Sequence, residues 1–155
     1  GSSRVITQFL GHIVRGEPIK LVDGGTQKRA FTYIDDGIAA LVKIIANAGG
    51  IATGKIYNIG NPANNHSIRD LAGMMLELAA CYPEYADGAG RVQVVDTSAG
   101  AYYGAGYQDV QNRVPDIANT CRDLDWAPHT SMDEALRHIF NAYRSQVPAA
   151  RALVY

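Results

Sequence analysis

A short run late in the sequence brings together one phenol, one carboxylate and one guanidinium. Tyr107, Asp109 and Arg113 lie in this run, between Gly106 and Pro115. Glycine and proline are typical of loops, and loops on a rigid scaffold often carry binding and catalytic residues. An arginine placed there can neutralise a substrate carboxylate or a developing oxyanion. The alternative is that Arg113 pairs with a nearby aspartate while the tyrosines pack beneath the loop, and the residues alone favour neither.

A second group of cations flanks a turn with two glycines. Lys20 precedes Asp23-Gly24-Gly25, and Lys28 and Arg29 follow it. A planar guanidinium beside an ammonium point charge suits a diphosphate ligand. A solvated hairpin with ordinary surface cations is the alternative, and the residues taken alone favour that alternative.

Composition and charge exclude several classes of protein. The 155 residues are 47% hydrophobic, which suits a soluble globular domain. The net charge of -1 argues against a nucleic-acid binder, and no apolar run is long enough to predict a membrane span. No two histidines stand at metal-ligand spacing, so no metal site is predicted. The widely separated Cys81 and Cys121 predict reduced thiols in a cytoplasmic protein.

Hydrophobic periodicity and turn residues predict the elements that position these groups. Five helices are expected, with starts near Ser2 or Ser3, at Asp35, at Ser67, at Asp116 and at Ser131. Residues 18–22 and 28–34 are predicted to form a hairpin around the Asp-Gly turn. Residues 55–59 and 91–95 are predicted to be two further strands. Strand alternation would place Arg29 and Lys28 on opposite faces.

Marks of a complete dinucleotide-binding domain are absent from the sequence. The elements do not alternate regularly between strand and helix, and no Gly-x-Gly-x-x-Gly follows a strand. No Tyr-x-x-x-Lys occurs either. The chain alone is therefore not expected to hold a dinucleotide.

The two cation-rich segments resemble a known family. Residues 20–37 and the run Tyr57-Asn58-Ile59-Gly60-Asn61 resemble the C-terminal nucleotide-sugar segment of the extended short-chain dehydrogenase/reductase family, which includes nucleotide-sugar epimerases and dehydratases. Ser3-Arg4, the run from Lys20 to Arg29 and the loop residues between Tyr102 and Pro115 more narrowly resemble its UDP-glucuronate decarboxylating dehydrogenases. Those members make a UDP-4-keto-pentose for lipid A modification in polymyxin resistance. The likeness spans about residues 1 to 145.

This resemblance implies the fold class and the division of the chain. The chain would be α/β, an α+β-like fragment forming the substrate-binding C-terminal portion of an extended short-chain dehydrogenase without the N-terminal dinucleotide-binding half. Residues 1–147 would form the nucleotide-sugar-binding portion and residues 148–155 a loosely held tail. NAD would be bound by the missing half, so this chain would hold no cofactor-binding residue and would be inactive alone. A homo-oligomer is left open.

The resemblance also implies a role for individual residues. Family members oxidise C4 of the sugar with NAD, and the resulting β-keto acid loses its carboxylate. Arg113 would be the catalytic residue; because arginine is hard to deprotonate, stabilising the enolate and orienting the carboxylate is its favoured role. Arg4 and Tyr107 would contact the UDP-sugar. The UDP would be held by the run Lys20, Leu21, Val22, Asp23, Gly24, Gly25, Thr26, Gln27, Lys28 and Arg29.

Two alternatives stay open at this point. One is a UDP-xylose or UDP-apiose synthase, or another nucleotide-sugar epimerase or dehydratase, in which the oxidised intermediate is reduced again. The other is a non-catalytic module that binds a nucleotide-sugar.

Overall fold

Helices and short parallel-paired strands alternate irregularly along the chain. The computed structural model describes residues 4–98, 102 and 110–152. The chain divides into two units: a first unit of Gly1–Gln27, Ser67–Gln111 and Leu136–Tyr155, and a second unit of Lys28–His66 and Asn112–Ala135. The predicted mixed α/β class is confirmed.

The first unit begins with the predicted amphipathic helix. Helix α1 spans Val5–Arg15 and buries Phe9, Leu10 and Ile13. It ends at Gly16, whose φ of 69° is the left-handed conformation that commonly closes a helix. The periodic apolar side chains therefore predicted both the helix and its buried face.

Helix α3 begins directly after Ser67, the predicted cap. It spans Ile68–Ala80, and Ser67 and Asp70 form a reciprocal capping box at its start. The Ser67 hydroxyl accepts from the Asp70 amide at 2.9 Å, and the Asp70 carboxylate accepts from the Ser67 amide at 3.2 Å. Both bonds satisfy amides that the first helical turn leaves unpaired.

Helix α4, Pro83–Arg91, was not predicted. Its sequence contains Pro83, Gly88 and Gly90, which usually interrupt helices. Pro83 is tolerated because it stands in the first turn, where no amide donor is needed. A Cβ on Gly88 would lie 2.0 Å from the carbonyl oxygen of Ile13, so glycine permits the close contact between α4 and α1.

The predicted hairpin around the double-glycine turn is wrong. Strand β1, Ile19–Val22, pairs in parallel with β4, Val94–Thr97, with Ile19 opposite Val94. The segment Asp23–Gly25 has positive φ at all three residues, of 46°, 73° and 66°. Three consecutive left-handed residues redirect the chain into a different sheet instead of folding it back on β1.

The second unit contains the other sheet. Strands β2 (Lys28–Ala30), β3 (Asn65–Ser67) and β5 (Asn112–Arg113) lie in the order β3-β2-β5, and β2 and β5 are parallel. Strand β2 is shorter than the predicted 28–34. Helix α2 already begins at Ile34 and continues to Ala46.

A small core lies between α2 and helix α5, Ala118–Leu124. Ala40, Leu124 and Trp126 form its centre. The fully buried Asp36 organises the segment beside it: its backbone oxygen accepts from the Trp126 indole at 2.9 Å, and its Oδ2 accepts from the Thr130 amide at 3.0 Å. A buried carboxylate is stabilised by such bonds.

The chain ends in two helices. Helix α6, Met132–Tyr143, begins after the predicted Ser131–Glu134 capping box, whose Ser131 amide donates to Glu134 Oε2 at 2.9 Å. Helix α7 spans Val147–Ala152, and Arg151 Nε donates to the Val14 carbonyl at 3.1 Å. The predicted division at residue 147 stays a prediction.

One predicted strand does not form. Residues 55–59 belong to no helix or strand. A strand requires a neighbouring strand, and within the described ranges none lies beside this segment. No helix among the described residues is long and apolar enough to span a membrane.

Candidate functional site

Strand pairing brings Arg29 and Arg113 side by side. Arg29 on β2 and Arg113 on β5 are register partners in a parallel pair. Side chains of such partners point to the same face of the sheet, and neighbouring strands lie about 4.8 Å apart. Two arginines that are far apart in the sequence are therefore neighbours on one face of the sheet. We call Arg29 and Arg113 the arginine pair.

The arginine pair concentrates positive charge on an accessible surface. Arg113 is exposed and Arg29 is half-buried. Arg29 Nη1 donates to the carbonyl of Lys28 at 2.7 Å. In the described part of the chain, no carboxylate forms a salt bridge with Arg113. Guanidinium groups on one face of a sheet can donate bidentate bonds to an anionic ligand.

The opposite face of the same sheet is polar and carries less charge. Lys28 and Asn112 are register partners, and each lies one residue before a member of the arginine pair. The Asn65 amide donates to the Asn112 amide oxygen at 3.2 Å. Strand alternation therefore places Lys28 on the face opposite the arginine pair.

Two contacts fix the chain just after Arg113. A Cβ on Gly60 would lie 2.4 Å from Pro115 Cγ, so the absence of a side chain there lets the proline ring pack closely. The Asn58 side chain donates to the Asp116 carbonyl at 3.0 Å. The Asp116 carboxylate accepts from the amide of Ala118, the first residue of α5, at 3.0 Å. This carboxylate therefore serves the helix and not Arg113.

A charged cluster holds the segment that carries Gly60. Asp123 Oδ2 accepts from Lys55 Nζ at 2.9 Å and from the Tyr57 hydroxyl at 3.2 Å. The bond from Lys55 lowers the pKa of Asp123. Burial, followed by the charge of Asp123, raises the pKa of Tyr57. The cluster ties residues 55–57 to α5 and thereby supports the close contact of Gly60 with Pro115.

The double-glycine turn in the first unit has a partner that the sequence did not reveal. Arg69 Nε donates to the Gly24 carbonyl at 2.8 Å, and Arg69 Nη2 pairs with Asp96 Oδ1 at 2.6 Å. Asp96 lies on β4 and is the register partner of Leu21 on β1. Arg69 therefore fastens the turn to the sheet that precedes it. No local pattern could have predicted this contact, because its three members lie in separate segments.

The remaining predicted binding residues fall mainly in the first unit. Lys20 is exposed on β1, whereas Leu21 and Val22 are buried in the core, so a ligand could reach only their backbone. Arg4 is exposed and stands at the start of α1. Thr26 and Gln27 lead from the turn towards β2. The binding roles of Lys20, Asp23, Gly24, Gly25, Thr26 and Gln27 stay predictions.

Most of the tyrosine-rich loop, including Tyr103, Tyr107 and Asp109, lies outside the described residues. Tyr102 is described and is 39% exposed. Its hydroxyl accepts from the Gln8 side chain on α1 at 2.9 Å. Tyr102 is therefore hydrogen-bonded to helix α1. The predicted contact between Tyr107 and a UDP-sugar stays a prediction.

Two helix starts among the described residues are unsuited to the pyrophosphate of NAD. A bound pyrophosphate usually sits at a glycine-rich turn leading into a helix, where free backbone amides face it. The start of α3 is filled by its own capping box, and the first turn of α2 carries Asp35 and Asp36. These carboxylates would repel a pyrophosphate.

Comparison with known proteins places the geometry in context. Residues 1–60 match the model of the NAD dependent epimerase/dehydratase family. The chain is similar along its whole length to the PbgP3 protein from Burkholderia pseudomallei, with 64% sequence identity and a TM-score of 0.84, and it covers 42% of that chain.

More distant solved structures share the fold. The UDP-glucose 4-epimerase from Thermotoga maritima, solved with UDP-glucose, is 20% identical with a TM-score of 0.69; the alignment covers 95% of this chain and 41% of that one. The UDP-glucuronic acid 4-epimerase from Bacillus cereus, solved with UDP-glucuronic acid and NAD, is 20% identical with a TM-score of 0.72. Its alignment covers 93% of this chain and 40% of that one. The predicted fold class is thus confirmed: the chain is a mixed α/β polypeptide that corresponds to less than half the length of the proteins it resembles.

Proposed function

We propose that this chain is the substrate-binding part of an NAD-dependent nucleotide-sugar enzyme of the epimerase/dehydratase family. The reaction we assign to the whole enzyme is oxidative decarboxylation of UDP-glucuronate to a UDP-4-keto-pentose. The observation that carries the proposal is the parallel register that puts Arg29 beside Arg113. The match of residues 1–60 to the family model and the 64% identity with PbgP3 support it.

The arginine pair suits two different anions on one ligand. Arg29 follows the double-glycine turn, and its planar fork matches a diphosphate. Arg113, one strand away, would hold the sugar carboxylate. We assign the whole enzyme to the cytoplasm and its product to lipid A modification in polymyxin resistance, as the resemblance of the loop implies.

The chemistry assigned to Arg113 follows from where charge develops. Once C4 of the sugar is a ketone, the bond between C5 and the carboxylate carbon breaks, carbon dioxide leaves, and the electron pair moves onto the C4 oxygen as an enolate. A fixed guanidinium beside that oxygen stabilises the enolate, and its permanent charge is suited to this role. The oxidation of C4 requires NAD, which we assign to residues outside this chain.

Calorimetric titration of the isolated chain tests the proposal. We expect UDP-glucuronate to bind and NAD not to bind. Arg29→Ala should weaken UDP-glucuronate binding by about tenfold or more, because a charge-assisted bond is worth about 1.5–3 kcal/mol. Arg122→Ala is the matched control, since it also removes an exposed arginine from the second unit but one that pairs with Asp123.

Two results would overturn this assignment. Tight NAD binding by the isolated chain would show that the cofactor site lies here. Equal losses of UDP-glucuronate affinity in Arg29→Ala and Arg122→Ala would show that general surface charge, and not the arginine pair, attracts the ligand.

A further inference from the structure

Strand β3 runs antiparallel to β2, and two backbone hydrogen bonds fix its register. The Phe31 amide donates to the Asn64 carbonyl at 3.0 Å, and the Ile68 amide donates to the Gln27 carbonyl at 3.1 Å. Residues that share such a bond in an antiparallel pair lie directly opposite each other. Both bonds give the same register, because the step from Gln27 forward to Phe31 matches the step from Ile68 back to Asn64.

This register places His66 directly opposite Arg29. The sheet order β3-β2-β5 puts β2 in the middle, and Arg29 is also the register partner of Arg113. Side chains of directly opposite residues lie on the same face of a sheet. His66, Arg29 and Arg113 therefore form one row across three strands, which we call the basic row.

A side-chain contact on the other face supports this placement independently. The Asn65 amide donates to the Asn112 amide oxygen at 3.2 Å, so the two asparagines share a face. Each of them directly precedes a member of the basic row, and successive side chains of a strand point to opposite faces. His66 and Arg113 therefore share the face opposite the asparagines.

The imidazole of His66 can reach a ligand and can bind a phosphate. The residue is half-buried, as Arg29 is. In the part of the chain that the structure describes, no hydrogen bond, ion pair or ring contact involves this imidazole. An imidazole carries an N–H donor whether it is neutral or protonated. It can therefore donate to a phosphate oxygen in either state.

The spacing of the strands orders the basic row along a ligand. Neighbouring strands lie about 4.8 Å apart, so His66 lies beside Arg29 on the side away from Arg113. In the function proposed above, Arg113 holds the sugar carboxylate and Arg29 the diphosphate. The nucleoside of a nucleotide-sugar lies beyond the diphosphate as seen from the sugar. His66 therefore lies towards the nucleoside end of the ligand.

We propose that His66 is a further ligand-binding residue, which donates a hydrogen bond to the phosphate next to the uridine. This inference rests on the proposed function, since it assigns a third side chain to the same ligand. The phosphate next to the uridine is common to all UDP-sugars. His66 therefore contributes to affinity and not to the choice of sugar.

Calorimetric titration of the 155-residue chain with UDP tests this role. We expect His66→Ala to weaken UDP binding by about tenfold, because a bond to a charged phosphate is lost. His66→Gln keeps an N–H donor and should retain most of the affinity. Asn65→Ala is the matched control, since it shortens the preceding side chain of β3 on the opposite face, and it should leave UDP binding unchanged.

Nuclear magnetic resonance of the imidazole ring gives a readout that depends on contact with the ligand and not on a substitution. The ring signals of His66 are identified by their absence from the His66→Gln spectrum. Saturating UDP should shift these signals, whereas free glucuronate, which has no phosphate, should leave them unchanged. Ring signals that do not move with UDP would contradict the contact.

The outcomes of the titration separate this inference from the proposed function. If Arg29→Ala weakened UDP binding and His66→Ala did not, the role of His66 would be wrong and the proposed function would stand. Equal losses in His66→Ala and Asn65→Ala would also overturn the role, because the effect would then come from β3 as a whole. A wild-type chain that does not bind UDP would overturn the proposed function and this inference with it.

Discussion

At the scale of single residues, Arg69 shows how a distant side chain can fix the double-glycine turn, which we propose binds UDP. Its guanidinium holds the Gly24 carbonyl and the Asp96 carboxylate at once. Both charged side chains are about half exposed or more, at 51% and 65%. Exposed ion pairs contribute little to stability, typically about 0–1 kcal/mol. The contact therefore matters more for the shape of the turn than for the free energy of unfolding.

We predict that Arg69→Ala weakens UDP binding severalfold while leaving the melting temperature nearly unchanged. The turn Asp23–Gly25 would lose the contact that fixes its carbonyl, and a ligand would have to order it on binding. Calorimetry with UDP and thermal unfolding of the same samples measure the two effects.

Arg91→Ala is the control for this prediction, because Arg91 is an exposed arginine of the first unit that pairs with Asp87 on its own helix. If Arg69→Ala lowered the melting temperature strongly and left UDP binding intact, the residue would be a stabilising contact only.

At the scale of elements, an aromatic cluster joins α4 to α6 in the first unit. The rings of Tyr85 and Phe140 meet edge to face with centroids 4.8 Å apart, and Tyr82 stacks on Phe140 at 5.9 Å. The Tyr85 hydroxyl donates to the Phe140 carbonyl at 2.7 Å. Burial raises the pKa of Tyr85 to about 12. The neutral phenol is thus part of the contact between the two helices.

This contact predicts a loss of stability at high pH. The folded pKa of Tyr85 lies above its ordinary value of 10, so its contribution is present below pH 10 and is lost as the pH rises towards 12. Tyr85→Phe should cost about 1–2 kcal/mol at neutral pH, because a buried carbonyl loses its donor. The variant should also lose less stability than the wild type between pH 10 and 12.

Urea unfolding at a series of pH values measures both effects. Tyr143→Phe is the matched control, since Tyr143 lies on α6 but is 45% exposed. Parallel curves for the wild type and Tyr85→Phe above pH 10 would show that Tyr85 does not cause the loss.

Local signals predicted the helix starts at the two capping boxes, whereas the strands depended on nonlocal pairing. The capping boxes at Ser67 and Ser131 gave the starts of α3 and α6, because a cap and its partner lie three residues apart. Helix α4 was missed because the packing of Gly88 against α1 is not visible in its own sequence. The hairpin was wrong because an Asp-Gly turn does not specify which strand β1 will pair with.

At the scale of the whole molecule, the sequence identified Arg29 and Arg113 as candidate site residues but could not predict that they are neighbours in one sheet. Arg29 and Arg113 were selected by chemistry and by resemblance, and each had a plausible alternative as a surface cation. Their neighbouring positions depend on the parallel register of β2 and β5, which the sequence of either strand does not specify. Arg69 was missed for the same reason, since its partners lie in separate segments.

The measurement that tests the central claim most directly is the preference of the chain for UDP-glucuronate over UDP-glucose. The two ligands differ at the sugar carboxylate, so the ratio of their Kd values isolates the contribution of that carboxylate. We predict that the wild type prefers UDP-glucuronate by about tenfold or more, in line with one charge-assisted bond.

We expect Arg113→Ala to remove this preference while keeping UDP binding, and Arg29→Ala to weaken both ligands alike. A preference that survives in Arg113→Ala, or that is absent from the wild type, would contradict the assignment of the arginine pair to a nucleotide-linked sugar acid.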